Sequence, residues 1–301
     1  MASSLDHMGA DDTGRMQCMT VWGGNASTNQ AFDVSGLSIW IHSRAHGQAD
    51  QGGDVYYVSS CASGRITRLL IADVSGHGEA VSHTAEALRD SMQSNVNHIN
   101  QGRVVRSVNE EFSKRNGEFG FATAVVCTFF APTKKLTLSN AGHPPPLLYR
   151  HVDRKWSVHD SQAASGGTAN NIPLGIIPET QFDETQIRLE DGDMLLLYTD
   201  AFFEARNDRG EILGADGLRN VLENLDPRNP ERLVPEFVEA VSKLRDGNVD
   251  ADDSTVVLIR ADGSKTPLRN SLLAPFRFLG GMLGLRPVRI VAPRPSCETQ
   301  Q

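Results

Sequence analysis

From Gly36 onward the chain alternates between short apolar runs and turn residues. LSIWIH, DVYYV and ITRLLIADV are rich in β-branched and aromatic residues and are bounded by Gly, Ser or Asp, which predicts strands. Residues 79–115 have apolar positions three and four apart, which predicts two helices joined near Asn100–Gly102. Strands are expected again in FATAVVCTFFAP and KKLTLSNAG, with a tight connection at Pro132–Lys135, and a hairpin in LLYRHVDRKWSVHD. A flexible stretch (SQAASGGTANN) and a turn (IPLGIIPE) come next. TQIRLE and DMLLLYTD flank Asp191–Gly192, a strong hairpin signal. Residues 215–225 and 229–245 read as helices, and STVVLIR as a closing strand.

Strands, helices, many strands, helices and a final strand do not form a βαβα alternation. The order suits an α+β domain of antiparallel sheets with helices packed on them. Three segments are expected: a polar, flexible segment 1–34, a domain over 35–260, and a basic, partly apolar tail 261–301. The tail carries Lys265, Arg269, Arg277, Arg286, Arg289 and Arg294 against Asp262 and Glu298. Such a tail suits an anionic membrane surface or a partner, and the plainer reading is a segment that packs on the domain or stays loose.

The formal net charge is −8, which argues against general nucleic-acid binding. The four cysteines form no CxxC pair, so neither a zinc knuckle nor a disulfide framework is suggested, and a reducing cytoplasm fits. The N-terminus lacks the apolar region of a secretory signal, and no apolar run is long enough for a membrane span.

The chemistry lies in five acids at the ends of strand-like runs, each beside turn residues: Asp54, Asp73, Asp200, Asp252 and Asp253. Carboxylates at strand ends can converge at one edge of a sheet sandwich, and with backbone carbonyls they are the ligands preferred by hard divalent cations. Each signal is weak alone, because an Asp at a strand end is usually a turn former or cap.

Their serial combination is more specific. GGD (52–54), ADVSGHG (72–78), FATAVV (121–126), NAGHPPPLL (140–148), PLG (173–175), LLLYTDAFFEA (195–205) and DDSTVVLI (252–259) resemble the motifs of the sporulation stage II protein E-type serine phosphatases, a bacterial branch of the metal-dependent protein phosphatase superfamily. The resemblance covers roughly residues 35–260. It implies a four-layer αββα sandwich holding two Mn²⁺ or Mg²⁺ ions between the sheets. It also implies that Asp54, Asp73, Asp200 and Asp252 carry the catalysis. The metal ligands would be Asp54, Asp73 (bridging both ions), the Val74 carbonyl, Asp200 and Asp252, with Asp253 a further candidate beside it. A hydroxide between the ions would attack the phosphorus of a phosphoserine or phosphothreonine in line. Gly76 and Gly78 would permit close backbone approach. His77, His143, Thr123, Asn140 and Glu204 are expected to support the site rather than touch metal.

Two positions depart from the family pattern. Ala201 stands where Gly usually follows the acid, and a required positive φ there would be strained. The run after Asp54 is Val-Tyr-Tyr, without a nearby second acid. The expected activity is dephosphorylation of a regulatory protein, of which the family's anti-sigma-factor antagonists are examples. Only about 35 residues precede the domain, too few for a sensor domain, so control is expected from a separate regulatory protein, self-association or the tail. Movement of helices 79–115 is a candidate gate for Asp73 and Val74. A catalytically dead binding module, a small-molecule phosphatase and a membrane-tethered scaffold are the competing readings.

Overall fold

A computed structural model describes residues 18–47, 49, 51–61, 63–75, 79–116, 120–159 and 171–264. Its twelve strands form two six-stranded antiparallel sheets. One has the order β1 (Cys18–Ala26), β4 (Gln51–Cys61), β5 (Ile66–Val74), β6 (Ala122–Phe130), β7 (Lys135–Ala141), β10 (Thr185–Arg188). The other has the order β2 (Thr28–Val34), β3 (Leu37–Arg44), β12 (Ser254–Ala261), β11 (Met194–Tyr198), β8 (Leu147–Arg150), β9 (Lys155–Val158). Helices α1 (Glu79–Asn95) and α2 (Gln101–Asn116) cover the first sheet. Helices α4 (Gly214–Glu223) and α5 (Pro230–Leu244) cover the second, and a single turn, α3 (Asp200–Phe203), follows β11. The result is the expected four-layer α+β sandwich.

The strand runs read as nearly continuous apolar stretches because both faces of each sheet are covered, and the period of two assigns each residue to a layer. On β5, Leu69 and Ile71 enter the core between the sheets, whereas Leu70, Ala72 and Val74 face α1 and α2. On β11, Leu195 and Leu197 point between the sheets, whereas Met194, Leu196 and Tyr198 face α4 and α5. Phe202 of α3 stacks on Phe237 of α5 with centroids 5.5 Å apart, which fixes the short turn that begins with Asp200.

The inward set changes character at one end of the sandwich. Continuing Ile39–Ile41, Val58–Tyr56, Leu69–Ile71, Cys127–Val125, Leu197 and Ile259–Val257 by two residues reaches Ser43, Asp54, Asp73, Thr123, Thr199 and Thr255. A dry core therefore ends in a layer of carboxyls and hydroxyls.

Two expectations are corrected. Asp191–Gly192 is not the turn of a hairpin. The chain does turn there, with Gly192 at φ +91° and Asp193 N donating to Glu190 O over 2.9 Å. Yet β10 pairs with β7 in one sheet and β11 with β12 and β8 in the other, so the turn crosses between sheets. Within the segment read as flexible, Cys18–Ala26 and Thr28–Val34 are strands, and Phe32 and Val34 are buried between the sheets. Residues 1–17, the stretch 160–170, and the tail beyond Ser264 lie outside the described residues. Among the described residues no helix is long and apolar enough to cross a membrane.

Candidate metal centre

Asp54 and Asp73 are direct cross-strand partners on β4 and β5, and both point between the sheets. Like charges placed opposite each other destabilise a sheet unless something compensates them. Among the described residues no Lys or Arg forms an ion pair with Asp54, Asp73, Asp200 or Asp252. Burial, and then the neighbouring Asp73 charge, raise the Asp54 carboxyl well above the usual carboxylate range, against the opposing effect of the Thr255 and Thr199 hydroxyls. Asp73 is pushed up to about 7 by burial and then by Asp200 and Asp252. Asp200 is raised by burial and then by Asp252 and Glu204. Asp73 and Asp200 lie close enough for each carboxyl to perturb the other.

Asp200 reaches this cluster because β11 ends at Tyr198 and the chain turns at once into α3, whose first residue is Asp200. The anchor is Thr199. Its hydroxyl donates to Asp54 Oδ2 (2.8 Å) and accepts from the Thr255 amide (3.0 Å), so one buried side chain ties the two sheets together beside the acids. Ala201 lies inside α3 and is not among the positive-φ residues, so the missing glycine strains nothing. We expect Thr199→Val to lose about 1–3 kcal/mol of stability, because it leaves a buried amide and carboxyl without partners. Urea unfolding of the two proteins would measure this.

The Asp252–Asp253 pair divides. Asp252 is exposed and acts on both Asp73 and Asp200. Both oxygens of Asp253 are taken by backbone: Oδ1 accepts from His46 N (2.7 Å) and Oδ2 from Gly53 N (2.5 Å). This contact explains the glycine pair of GGD. A Cβ on Gly52 would overlap the Asp253 carboxyl, and one on Gly53 would lie 2.7 Å from Val81 Cγ1 and 3.1 Å from the Val74 carbonyl. The GGD and DD motifs are thus two sides of one contact. Gly52→Ala should displace Asp253 and cost about 1–3 kcal/mol, read by chemical denaturation. The same contact should make Gly52→Ala weaken cation binding.

Behind the cluster, Thr123 is the cross-strand partner of Asp73 on β6. Its hydroxyl bonds His143 Nδ1 at 2.8 Å, and Asn140 holds the His143 backbone through both its N–H and its carbonyl. Burial pushes the His143 ring down to about 3, so it stays neutral and structural at working pH. Gly76, His77 and Gly78 lie outside the described residues.

The donor set suits a hard divalent cation. Among the described residues Asp54 Oδ1 is buried without a hydrogen-bond partner and no Lys or Arg pairs with the carboxyl cluster, and a side chain at Gly53 would crowd the Val74 carbonyl. Among the described residues no three His, Cys, Asp or Glu side chains stand close enough together to hold a metal ion by themselves. Sequence reasoning missed Thr199 and Thr255, and it did not foresee that Asp253 serves the backbone.

Known proteins bear on this geometry. The family described as Stage II sporulation protein E (SpoIIE) matches residues 63–262. The phosphoserine phosphatase RsbU of Bacillus subtilis (strain 168) is 22% identical over 242 residues, covering 80% of this chain and 67% of that protein. The chain spans only 13% and 35% of two matched stage II sporulation proteins E, from Bacillus subtilis and Priestia megaterium. Among solved structures, the RsbU and RsbW domains of Rv1364c from Mycobacterium tuberculosis superpose with a TM-score of 0.63 at 19% identity, covering 86% of this chain and 72% of that one. RsbX in complex with magnesium gives a TM-score of 0.56 at 14% identity, covering 77% and 99%. The structural likenesses speak for the fold, and the match over residues 63–262 for descent: the chain belongs to the SpoIIE family.

Proposed function

We propose that this chain is a divalent-cation-dependent protein-serine/threonine phosphatase. The observation that carries the reading is the cluster of buried Asp54 with the half-buried Asp73 and Asp200: among the described residues no Lys or Arg pairs with it, and Asp54 Oδ1 has no hydrogen-bond partner. Family membership gives that cluster its chemistry. The cations held there would be Mn²⁺ or Mg²⁺, two per site by family resemblance, on Asp54, Asp73, the Val74 carbonyl, Asp200 and Asp252. Asp253 shapes the site from its place on the Gly53 and His46 amides.

Bound cations supply neutralisation of phosphoryl charge and acidification of water. The chain's own contribution is position. Thr199 orients Asp54, α3 presents Asp200 to Asp73, and the dry inter-sheet core behind them keeps the carboxyls in a medium where charge interactions are strong.

The substrate we infer is a phosphorylated regulatory protein, an anti-sigma-factor antagonist being one candidate, with a separate regulatory protein controlling the enzyme. A reducing cytoplasm suits the buried, unpaired Cys61 and Cys127. The test is phosphate release from phosphoserine and phosphothreonine peptides with Mn²⁺, with Mg²⁺ and with EDTA. Cation-dependent release is the expected result; equal release in EDTA would overturn the reading.

A further inference from the structure

A cavity of about 340 Å³ adjoins the carboxyl cluster, with Asp200 and Asp252 in its wall. Ala201, Ala205, Gly247 and Ala251 also line it and leave room on one side for an extended peptide. Two cations line the same cavity, Arg206 and Arg245. They converge on one turn: Arg206 Nη1 donates to Gly210 O (2.7 Å), and Arg245 Nη1 lies 2.8 Å from where a Gly210 Cβ would stand. Gly210, at φ +83°, has no side chain to separate them. Asn248 clasps the backbone of Arg206 through both its N–H (2.9 Å) and its carbonyl (2.8 Å), which fixes this wall of the cavity.

Both guanidiniums are exposed beside one glycine, and among the described residues neither forms an ion pair with a carboxylate, although Asp200, Glu204, Asp246 and Asp252 line the same cavity. An arrangement of this kind is matched to an anion brought from outside. The reacting phosphoryl group belongs at the Asp73–Asp200–Asp252 cluster, so the anion read here is a second one.

We propose that Arg206 and Arg245 form a specificity subsite for an acidic side chain flanking the phosphoserine of the substrate protein. This rests on the phosphatase reading above. The test compares two phosphoserine peptides of equal length, flanked by Glu in one and by Gln in the other, using the full chain with Mn²⁺. The expected kcat/KM ratio, Glu over Gln, is about five in the unaltered protein. It should fall to about one when Arg206→Gln and Arg245→Gln are combined, and below one when both are changed to Glu. Because the ratio is internal to each protein, a partly unfolded variant does not distort it. Arg228→Gln, on the exposed α4–α5 connection where Arg228 pairs with Asp226, should leave the ratio unchanged. The Kd ratio of the same peptides on the Asp73→Asn chain, measured by anisotropy, should follow the same order.

Turnover of both peptides with a ratio near one in the unaltered protein, or a ratio that survives the double substitution, would overturn the subsite and leave the phosphatase reading standing. If neither peptide nor p-nitrophenyl phosphate turned over, the phosphatase reading would fall, and the subsite with it.

Discussion

Asp73→Asn should lower kcat for p-nitrophenyl phosphate and for a phosphoserine peptide by about a thousandfold or more while the chain remains folded. Asp73 is the hub of the cluster: it faces Asp54 across the β4–β5 ladder and feels the charges of Asp200, Asp252 and Asp253. Asparagine keeps the shape, but it removes the charge that a cation needs. A single electrostatic group aimed at developing charge is worth about 10²–10³ in rate, and a residue shared by several ligands is worth more. Removal of one half-buried carboxyl from a set of acids that no Lys or Arg among the described residues compensates should also raise the thermal midpoint of the cation-free protein. Lost activity together with gained stability is a signature that a merely structural residue would not give. An inactive variant that is also strongly destabilised would assign Asp73 a structural role instead.

The second large effect is a pH-dependent gain in stability from the cation. In the cation-free chain the Asp54, Asp73 and Asp200 carboxyls are raised above their ordinary value, so the folded state holds protons that the unfolded chain releases. The stability contributed by these groups is fully present below their unfolded value of 3.8 and is lost as pH rises through the folded value, about 7 for Asp73. A cation takes the protons' place, so its effect grows over the same window. At about one hundred times its Kd, Mn²⁺ should add about 2.7 kcal/mol at pH 8. That corresponds to a rise of about 5–10 °C in the midpoint. At pH 5.5 the rise should be much smaller. Differential scanning calorimetry at the two pH values, with Mn²⁺ and with EDTA, measures it. An equal shift at both values would place the binding elsewhere.

Much of this was legible in the residues because the strands obey a period of two. Ile39–Ile41–Ser43, Leu69–Ile71–Asp73 and Leu195–Leu197–Thr199 each run from apolar to polar on the inward face, all toward the same end of the sandwich. Followed strand by strand, that alternation would also have revealed Thr199 and Thr255. They were missed because a threonine near a strand end carries no chemical signal until its partner is known. Asp191–Gly192 misled for a related reason: a tight turn is a local property, whereas the sheet each flanking strand joins is decided by distant partners, β7 for one and β12 and β8 for the other. β1 and β2 are edge strands with a polar sequence, and Gly23 lets β1 lie close against the Tyr56–Tyr57 backbone of β4, so composition alone could not distinguish this segment from a loose terminus. Asp252 and Asp253 are chemically identical neighbours, and only the approach of the Gly53 and His46 amides tells them apart.

The central claim is that the carboxyl cluster at the end of the inter-sheet core binds divalent cations. Calorimetric titration of Mn²⁺ into the unaltered chain and into Asp73→Asn, both at pH 7.5, addresses it without any substrate. The account predicts about two ions bound by the unaltered chain and binding weakened at least about tenfold in the variant. Absence of Mn²⁺ binding to the unaltered chain, or identical binding to both proteins, would contradict it.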